Sequence, residues 1–200
     1  TLVIIAGSEL FTGHTMFLTL GVKAGTISHG QMWAILPQTW LGNLVGSVFV
    51  ALLYSWGGGS LLPVDTSIVH SVALAKTTAP ATVLFFKGAL CNWLVCLAIW
   101  MAIRTEGAAK FIAIWWCLLA FIASGYEHSV ANMTLFALSW FGHHSEAYTL
   151  SGIGHNLLWV TLGNTLSGVV FMGLGYWYAT PKSERPAPAK INQPEAAANN

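Results

Sequence analysis

Four ionisable side chains stand inside long apolar stretches of this chain, where charge is costly and usually functional. They are Glu9, Lys87, Glu127 and His128. Histidine changes charge near neutral pH, so His128 is a candidate to hydrogen-bond an anion and to exchange a proton with it. A packing role between helices is the alternative. Because carboxylates repel anions, we expect Glu9 and Glu127 to accept hydrogen bonds from interrupted backbone instead.

Both glutamates lie in polar, glycine-containing interruptions of apolar segments, at residues 7–14 and 124–129. Unpaired backbone groups in hydrocarbon cost several kcal/mol each, so an interruption persists only where protein or water satisfies them. The half-helix after each interruption begins near mid-membrane, and its N-terminus carries about half a positive charge. Two such ends facing one cavity favour an anion.

The two interruptions belong to an internal repeat. Glu9 and Glu127 are 118 residues apart, and a Leu-Gly-Asn triplet follows each of them, ending at Asn43 and at Asn164, 121 residues apart. In the second copy the unit is three spans beginning near residue 77. An odd number of spans makes the two copies inverted relative to each other, and paired breaks in such a repeat indicate a central binding site.

The repeat also predicts where the first copy should begin. Its start falls about 40 residues before Thr1 when the second copy's start is shifted by the repeat offset. We therefore expect the first span and part of the second to be missing from this chain, and residues 1–180 to form a partial pore domain.

The composition of the chain indicates a protein whose surface must face lipid. Of its 200 residues, 55% are hydrophobic and only 8% are charged, against about 25% charged in soluble domains, and the mean hydropathy is +0.63. The broken first run covers residues 1–22. Four further runs can cross a bilayer, at residues 31–56, 77–103, 111–140 and 147–180.

Other functional classes find no support in the sequence. A net charge of +1 gives no indication of nucleic-acid binding. The three cysteines lie in apolar runs with no zinc-site or disulfide pattern, so we predict neither a metal nor a cofactor, and no enzymatic role.

Lysine and arginine predict the orientation. Outside the spans, six basic residues fall on one side, and Lys76 alone falls on the other. By the positive-inside rule, the six, and with them the C-terminus, should be cytoplasmic. The polar, Pro/Ala/Asn-rich residues 181–200 predict a disordered cytoplasmic tail.

Three segments resemble the formate/nitrite transporter family. The first is Ile-Ile-Ala-Gly-Ser-Glu-Leu-Phe-Thr-Gly at 4–13, and the second is Gly-Ala-Leu-Cys-Asn-Trp-Leu-Val-Cys-Leu-Ala at 88–98. The third, Gly-Tyr-Glu-His-Ser-Val-Ala-Asn-Met at 125–133, is similar to the segment around the family's central histidine. The resemblance covers residues 1 to about 180 and is strongest to the family's nitrite branch.

The resemblance implies an all-α, aquaporin-like inverted repeat of three spans with two broken helices, assembled as a homopentamer with one pore per subunit in the bacterial inner membrane. The central histidine falls on His128 and the loop threonine on Thr12. The outer-vestibule lysine falls on Lys76, and polar pore-side partners fall on Asn92 and Asn132. Constriction side chains fall on Leu10, Phe11, Val95 and Phe121.

A mechanism follows as a hypothesis. Lys76 and the half-helix ends concentrate anions at the mouth, while Thr12, Asn92 and Asn132 supply hydrogen bonds in the narrow pore. His128 hydrogen-bonds nitrite and can hand it a proton, and neutral nitrous acid then crosses the apolar constrictions. Alternatives are a formate or hydrosulfide channel of the same family, a neutral-solute aquaporin-like channel, and a membrane enzyme or haem subunit. The breaks lack the Asn-Pro-Ala motifs of the neutral-solute channel, and the chain lacks a second histidine pair for haem.

Overall fold

The computed structural model describes residues 2–59, 68–142 and 144–185, and all regular structure within them is helical. Nine α-helices follow one another in these described ranges: α1 Leu2–Ala6, α2 Phe11–Lys23, α3 His29–Trp56, α4 Ile68–Thr77, α5 Ala81–Ala102, α6 Gly107–Ala123, α7 Ser129–Phe141, α8 Leu150–Leu166 and α9 Gly175–Ala179. A segment of wider π-helical winding, Ser167–Leu174, joins α8 to α9. The predicted all-α class is confirmed.

Three continuous helices in the described part of the chain are long and apolar enough to cross a membrane. They are His29–Trp56, Ala81–Ala102 and the continuous rod Leu150–Ala179. The remaining predicted spans are pairs of shorter helices, α1 with α2 and α6 with α7, each pair separated by a non-helical break. The chain is therefore a membrane protein with two broken helices, as predicted.

The beginning of the second copy differs from the prediction. A single span was expected over 77–103, but α5 begins at Ala81 because Pro80 adopts extended backbone as its N-cap. The residues before it form a separate helix, α4, which packs against α7 and α8. Hydropathy alone did not separate the end of α4 from the span that follows it.

The two breaks have the same backbone shape, 118 residues apart. Gly7 and Gly125 both adopt positive φ, at 75° and 62°, and so end the preceding helices in the left-handed conformation that glycine favours. The following half-helices begin after Leu10 and His128, whose backbones are extended with closely similar φ and ψ. Helices α2 and α7 then run for 13 residues each.

The packing between helices is reciprocal. Helix α3 packs against α7, and the π-helical segment packs against α2. Each copy's last span thus supports the half-helix of the other copy, as expected for two units related by a two-fold axis. The matching breaks and the reciprocal packing agree with the repeat predicted from sequence.

Three of the six basic residues predicted to share one side of the membrane lie together. Lys23 and Arg185 both contact Tyr178, and Arg104 lines the same pocket as Arg185. In the predicted tail, Lys182–Glu184 form one 3-10 turn and Arg185 bonds back to the chain. Residues 186–200, which include most of that tail, lie outside the described residues.

Candidate functional site

Asn43 holds the first break together. Its side-chain oxygen accepts a hydrogen bond from the Phe11 N–H at 2.9 Å, and its amide donates to the Glu9 carbonyl at 2.9 Å. One side chain on α3 thus pairs a backbone donor and a backbone acceptor that the break would leave unpaired.

Asn164 does the same for the second break. Its oxygen accepts from the Ser129 N–H at 3.0 Å, and its amide donates to the Glu127 carbonyl at 3.1 Å and to the Gly88 carbonyl at 2.8 Å. The sequence marked Asn43 and Asn164 only as repeat positions. Each asparagine follows its break at a closely similar distance in the sequence, and this spacing is the feature that could have predicted the role.

The described contacts of Glu9 and Glu127 differ from the backbone-supporting role predicted for these residues. Among the described residues, the hydrogen bonds and ion pairs of both carboxylates go to side chains. The physical reason is that a break exposes both N–H and C=O groups. An ionised carboxylate can only accept, whereas an asparagine both donates and accepts.

Glu9 is largely exposed, and its carboxylate pairs with Nε2 of His14. The other ring nitrogen of His14 lies 3.0 Å from the Thr39 hydroxyl on α3. Glu9 lies in the first break and His14 in the half-helix that follows it. Through the contact of His14 with Thr39, the pair connects the break to α3. It contributes no carboxylate to the cavity described below.

Glu127 is the centre of a buried polar network. Lys76 Nζ lies 2.7 Å from one carboxylate oxygen, and the Asn132 amide donates to the other at 2.6 Å. Asn156 completes the network by accepting from Asn132 at 2.9 Å and by donating to the Lys76 carbonyl at 2.9 Å. The Glu127 and Lys76 side chains are only 5% and 18% exposed.

This network corrects the interpretation of Lys76. The sequence predicted a free basic residue that concentrates anions at the outer mouth, but its ammonium group is paired with a carboxylate 51 residues along the chain. The pair carries no net charge. Lys76 fixes Glu127, and with it the backbone beside His128.

The two breaks meet where Thr12 and His128 touch. The Thr12 hydroxyl lies 3.0 Å from His128 Nε2, and both side chains are buried. The other ring nitrogen, Nδ1, accepts a hydrogen bond from the Ala131 N–H at 3.1 Å and thereby caps α7. A ring nitrogen that accepts carries no proton, so the geometry corresponds to a neutral imidazole with its hydrogen on Nε2, directed at Thr12.

Beside His128 lies an apolar cavity of about 270 Å³. Leu10, Val95 and Phe121 line it, and the Phe121 ring stacks on the His128 ring with centroids 6.0 Å apart. Among the described lining residues, the only other polar side chain is that of Thr134, whose hydroxyl bonds to Ser47. The structure thus brings three of the four predicted constriction residues together with the predicted central histidine.

The fourth predicted constriction residue lies elsewhere. Phe11 begins α2 and points towards α3, where it packs against Met32 and Leu36 and is 4% exposed. Adjacent residues at a helix start project in different directions, so Leu10 can face the cavity while Phe11 faces a neighbouring helix.

The predicted polar lining residues are bonded to the protein. The Asn92 amide donates to the Thr12 carbonyl, the Thr15 hydroxyl and the Asn164 carbonyl, at 2.7–3.1 Å. Asn132 donates to Glu127 and Asn156. Both side chains, like Thr12, are absent from the cavity lining. These residues position the breaks and leave His128 as the polar group in direct reach of the cavity.

The sequence and fold match known transporters. The family model "Formate/nitrite transporter" matches residues 1–178. The "Nitrite transporter NirC" of Salmonella typhimurium strain LT2 is 98% identical over 200 residues, which cover 100% of this chain and 74% of that protein. The "Probable formate transporter" of Methanothermobacter thermautotrophicus is 36% identical over 202 residues, covering 88% of this chain and 70% of that protein.

A solved structure with similar architecture belongs to a protein titled "Pentameric formate channel with formate bound". It is 28% identical, with a TM-score of 0.74, and the match covers 89% of this chain and 77% of that one. Another, titled "FNT family ion channel", is 98% identical with a TM-score of 0.89 over 90% of this chain and 72% of that one.

Proposed function

Because this chain belongs to the formate/nitrite transporter family, we propose that it carries nitrite across the membrane, past the point where Thr12 and His128 meet. That contact between two broken helices is the observation that carries the proposal. It joins the only two breaks seen in the described spans, beside an apolar cavity. The 98% identity to a nitrite transporter favours nitrite as the ion.

The electrostatics of the breaks suit an anion. Helices α2 and α7 both begin beside the contact, so the positive ends of two helix dipoles lie there. With Lys76 neutralised by Glu127, these ends and the His128 N–H are the groups that favour negative charge at the centre. An approaching anion meets the partial positive charge of these groups.

The apolar cavity opposes the passage of a bare ion. Moving an ion into such surroundings costs about 20 kcal/mol by a Born estimate, and several kcal/mol after relaxation. A proton acquired on the way removes most of this cost, because nitrous acid is neutral. Leu10, Val95 and Phe121 then select for anions of weak acids over permanently charged ions.

The geometry defines what His128 must do to supply that proton. In the neutral ring, the Nε2–H is held by Thr12, and an entering anion can take the place of the threonine hydroxyl as its acceptor. A full proton transfer requires a hydrogen on Nδ1 as well. That hydrogen would face the Ala131 N–H, so the α7 cap must open when His128 becomes charged.

The assembly and the orientation are part of the proposal. The structural likeness to a pentameric channel supports a homopentamer with a pore in each subunit. The clustering of Lys23, Arg104 and Arg185 at one end supports a cytoplasmic location for that end and for residues 181–200. Residues 1–180 then form the pore domain in a bacterial inner membrane.

The experiment is a side-by-side flux assay in proteoliposomes with nitrite, formate, hydrosulfide and glycerol. We expect nitrite flux well above that of protein-free liposomes, and no glycerol flux. The formate channel with a TM-score of 0.74 makes formate the second candidate. Faster formate than nitrite flux would assign the chain to that candidate, and glycerol flux without anion flux would instead indicate a neutral-solute channel.

A further inference from the structure

A pocket of about 290 Å³ lies at the end of the molecule that carries most of the basic residues, where α2, α5 and the C-terminal turn meet. Arg104 and Arg185 line it, together with the indole rings of Trp100 and Trp177. Lys23 stands beside it, with its ammonium group 3.3 Å from the Tyr178 hydroxyl. The pocket therefore combines two arginines with large aromatic side chains, and a lysine lies next to it.

The cationic groups retain donors for a ligand. The Arg104 guanidinium lies 4.1 Å from the centre of the Trp100 ring, and within the described chain it has neither a side-chain hydrogen bond nor an ion pair. Arg185 uses two of its five N–H groups on the carbonyls of Thr180 and Tyr178. Glu184 also lines the pocket, and within the described chain it forms no ion pair with either arginine. Two arginines and one carboxylate leave the pocket net positive.

An apolar seam leads from this pocket along the outside of the helices. Trp100 packs against Tyr176, with ring centroids 4.8 Å apart. Two turns further into the span, Trp93 packs against Phe171, and these two side chains are 44% and 39% exposed. The seam therefore runs between α5 on one side and α9 with the π-helical segment on the other, from the charged pocket towards the apolar middle of the span.

We infer that the pocket binds the phosphate group of an anionic glycerophospholipid, with an acyl chain lying along the α5 seam. Arginine N–H groups match phosphate oxygens in geometry and charge, and basic pockets between membrane helices bind such headgroups. Tryptophan and tyrosine favour the depth at which headgroups lie. The apolar seam distinguishes this ligand from free phosphate, which would gain nothing from Trp93 and Phe171.

The test measures lipid retention by the assembled protein in nanodiscs and by native mass spectrometry. Nanodiscs of phosphatidylcholine with a minor fraction of phosphatidylglycerol serve as the probe. Arg104→Gln is the main variant, because within the described chain the Arg104 side chain makes no hydrogen bond or ion pair whose loss would disturb the fold. Lys110→Gln is the matched control: Lys110 was predicted on the same side of the membrane but does not line the pocket.

We expect wild type and Lys110→Gln to retain phosphatidylglycerol over phosphatidylcholine, and Arg104→Gln to retain about fivefold less, in line with one basic residue at a membrane surface. Arg104→Glu should retain less still. Equal retention by Arg104→Gln and Lys110→Gln would overturn the site. Displacement of the lipid by excess inorganic phosphate would overturn the lipid assignment in favour of a soluble anion. The nitrite assay on the same samples is independent of this result.

Discussion

The His128 ring nitrogen lies 3.0 Å from the Thr12 hydroxyl, although 116 residues separate them in the chain. Each residue belongs to one break, so this contact joins the two halves of the repeat. Because Ala131 donates to the opposite ring nitrogen, the His128 ring is held at both ends. The contact places one directed N–H donor beside an apolar cavity.

Removing the threonine hydroxyl should release this donor. Thr12→Val keeps the size of the buried side chain but offers Nε2 no acceptor, and a neutral hydrogen bond contributes about 0.5–1.5 kcal/mol. We expect nitrite flux to change about two- to tenfold, while Thr12→Ser retains wild-type flux. If the serine and valine variants behave alike, the hydroxyl has no part in transport.

The same pair can be tested for coupling. In a double-mutant cycle of Thr12→Val and His128→Asn, the effects on flux should be non-additive, because each change removes the same contact. The cycle uses initial flux rates at one pH. Additive effects would mean that Thr12 and His128 act on the ion separately.

The Lys76–Glu127 pair predicts a stability defect. Glu127 is buried and the Lys76 side chain is only 18% exposed, and removing one partner of a buried pair costs about 3–5 kcal/mol because the other charge is left unpaired. Lys76→Met and Glu127→Gln should each lower the unfolding temperature of the assembled protein in detergent. The double variant should recover much of the loss, since it leaves no charge behind.

That prediction separates two roles for Lys76. A lysine that concentrates anions would lose flux on substitution mainly at low ionic strength, because salt screens exposed charges over about 8–10 Å. The paired geometry predicts instead a loss of stability and flux at all salt concentrations. A loss confined to low salt would contradict the structural role.

The two asparagines should be unequal in their effect. Asn164 is fully buried, whereas Asn43 is partly exposed, so water can replace the bonds of Asn43 but not those of Asn164. We expect Asn164→Ala to destabilise the protein by about 1–3 kcal/mol for each buried group left unpaired, and Asn43→Ala by less. Chemical unfolding in mixed micelles measures the difference. A larger effect at Asn43 would show that it does more than hold the break.

The sequence predicted much of this architecture. The polar interruptions at 7–14 and 124–129 located both breaks, and the spacing of the glutamates and of Asn43 and Asn164 predicted the repeat. These features are visible because periodicity and apolar run length are properties of the sequence itself.

The side-chain partners were less predictable. Lys76 meets Glu127, and Asn92 meets Thr12, only when the helices that carry them have packed together. Nothing in the sequence spacing of these residues indicates that they pair. From the sequence, Lys76 and the amide of Asn92 were therefore expected to interact with the permeating ion. In the structure they are bonded to Glu127 and Thr12. The association of Leu10, Val95 and Phe121 with His128 was predicted through the family resemblance and not from residue patterns.

The most direct test of the account is nitrite flux in liposomes as a function of pH, for wild type and for His128→Asn, with flux through protein-free liposomes subtracted. His128→Asn keeps a hydrogen-bond donor but removes the group that can carry a proton at neutral pH. Between about pH 5 and pH 8, wild-type flux should rise as the pH falls, because protons become available to the ring, while the flux of the variant should stay nearly constant. An unchanged pH dependence in His128→Asn would contradict proton transfer at His128 and leave it a hydrogen-bonding residue only.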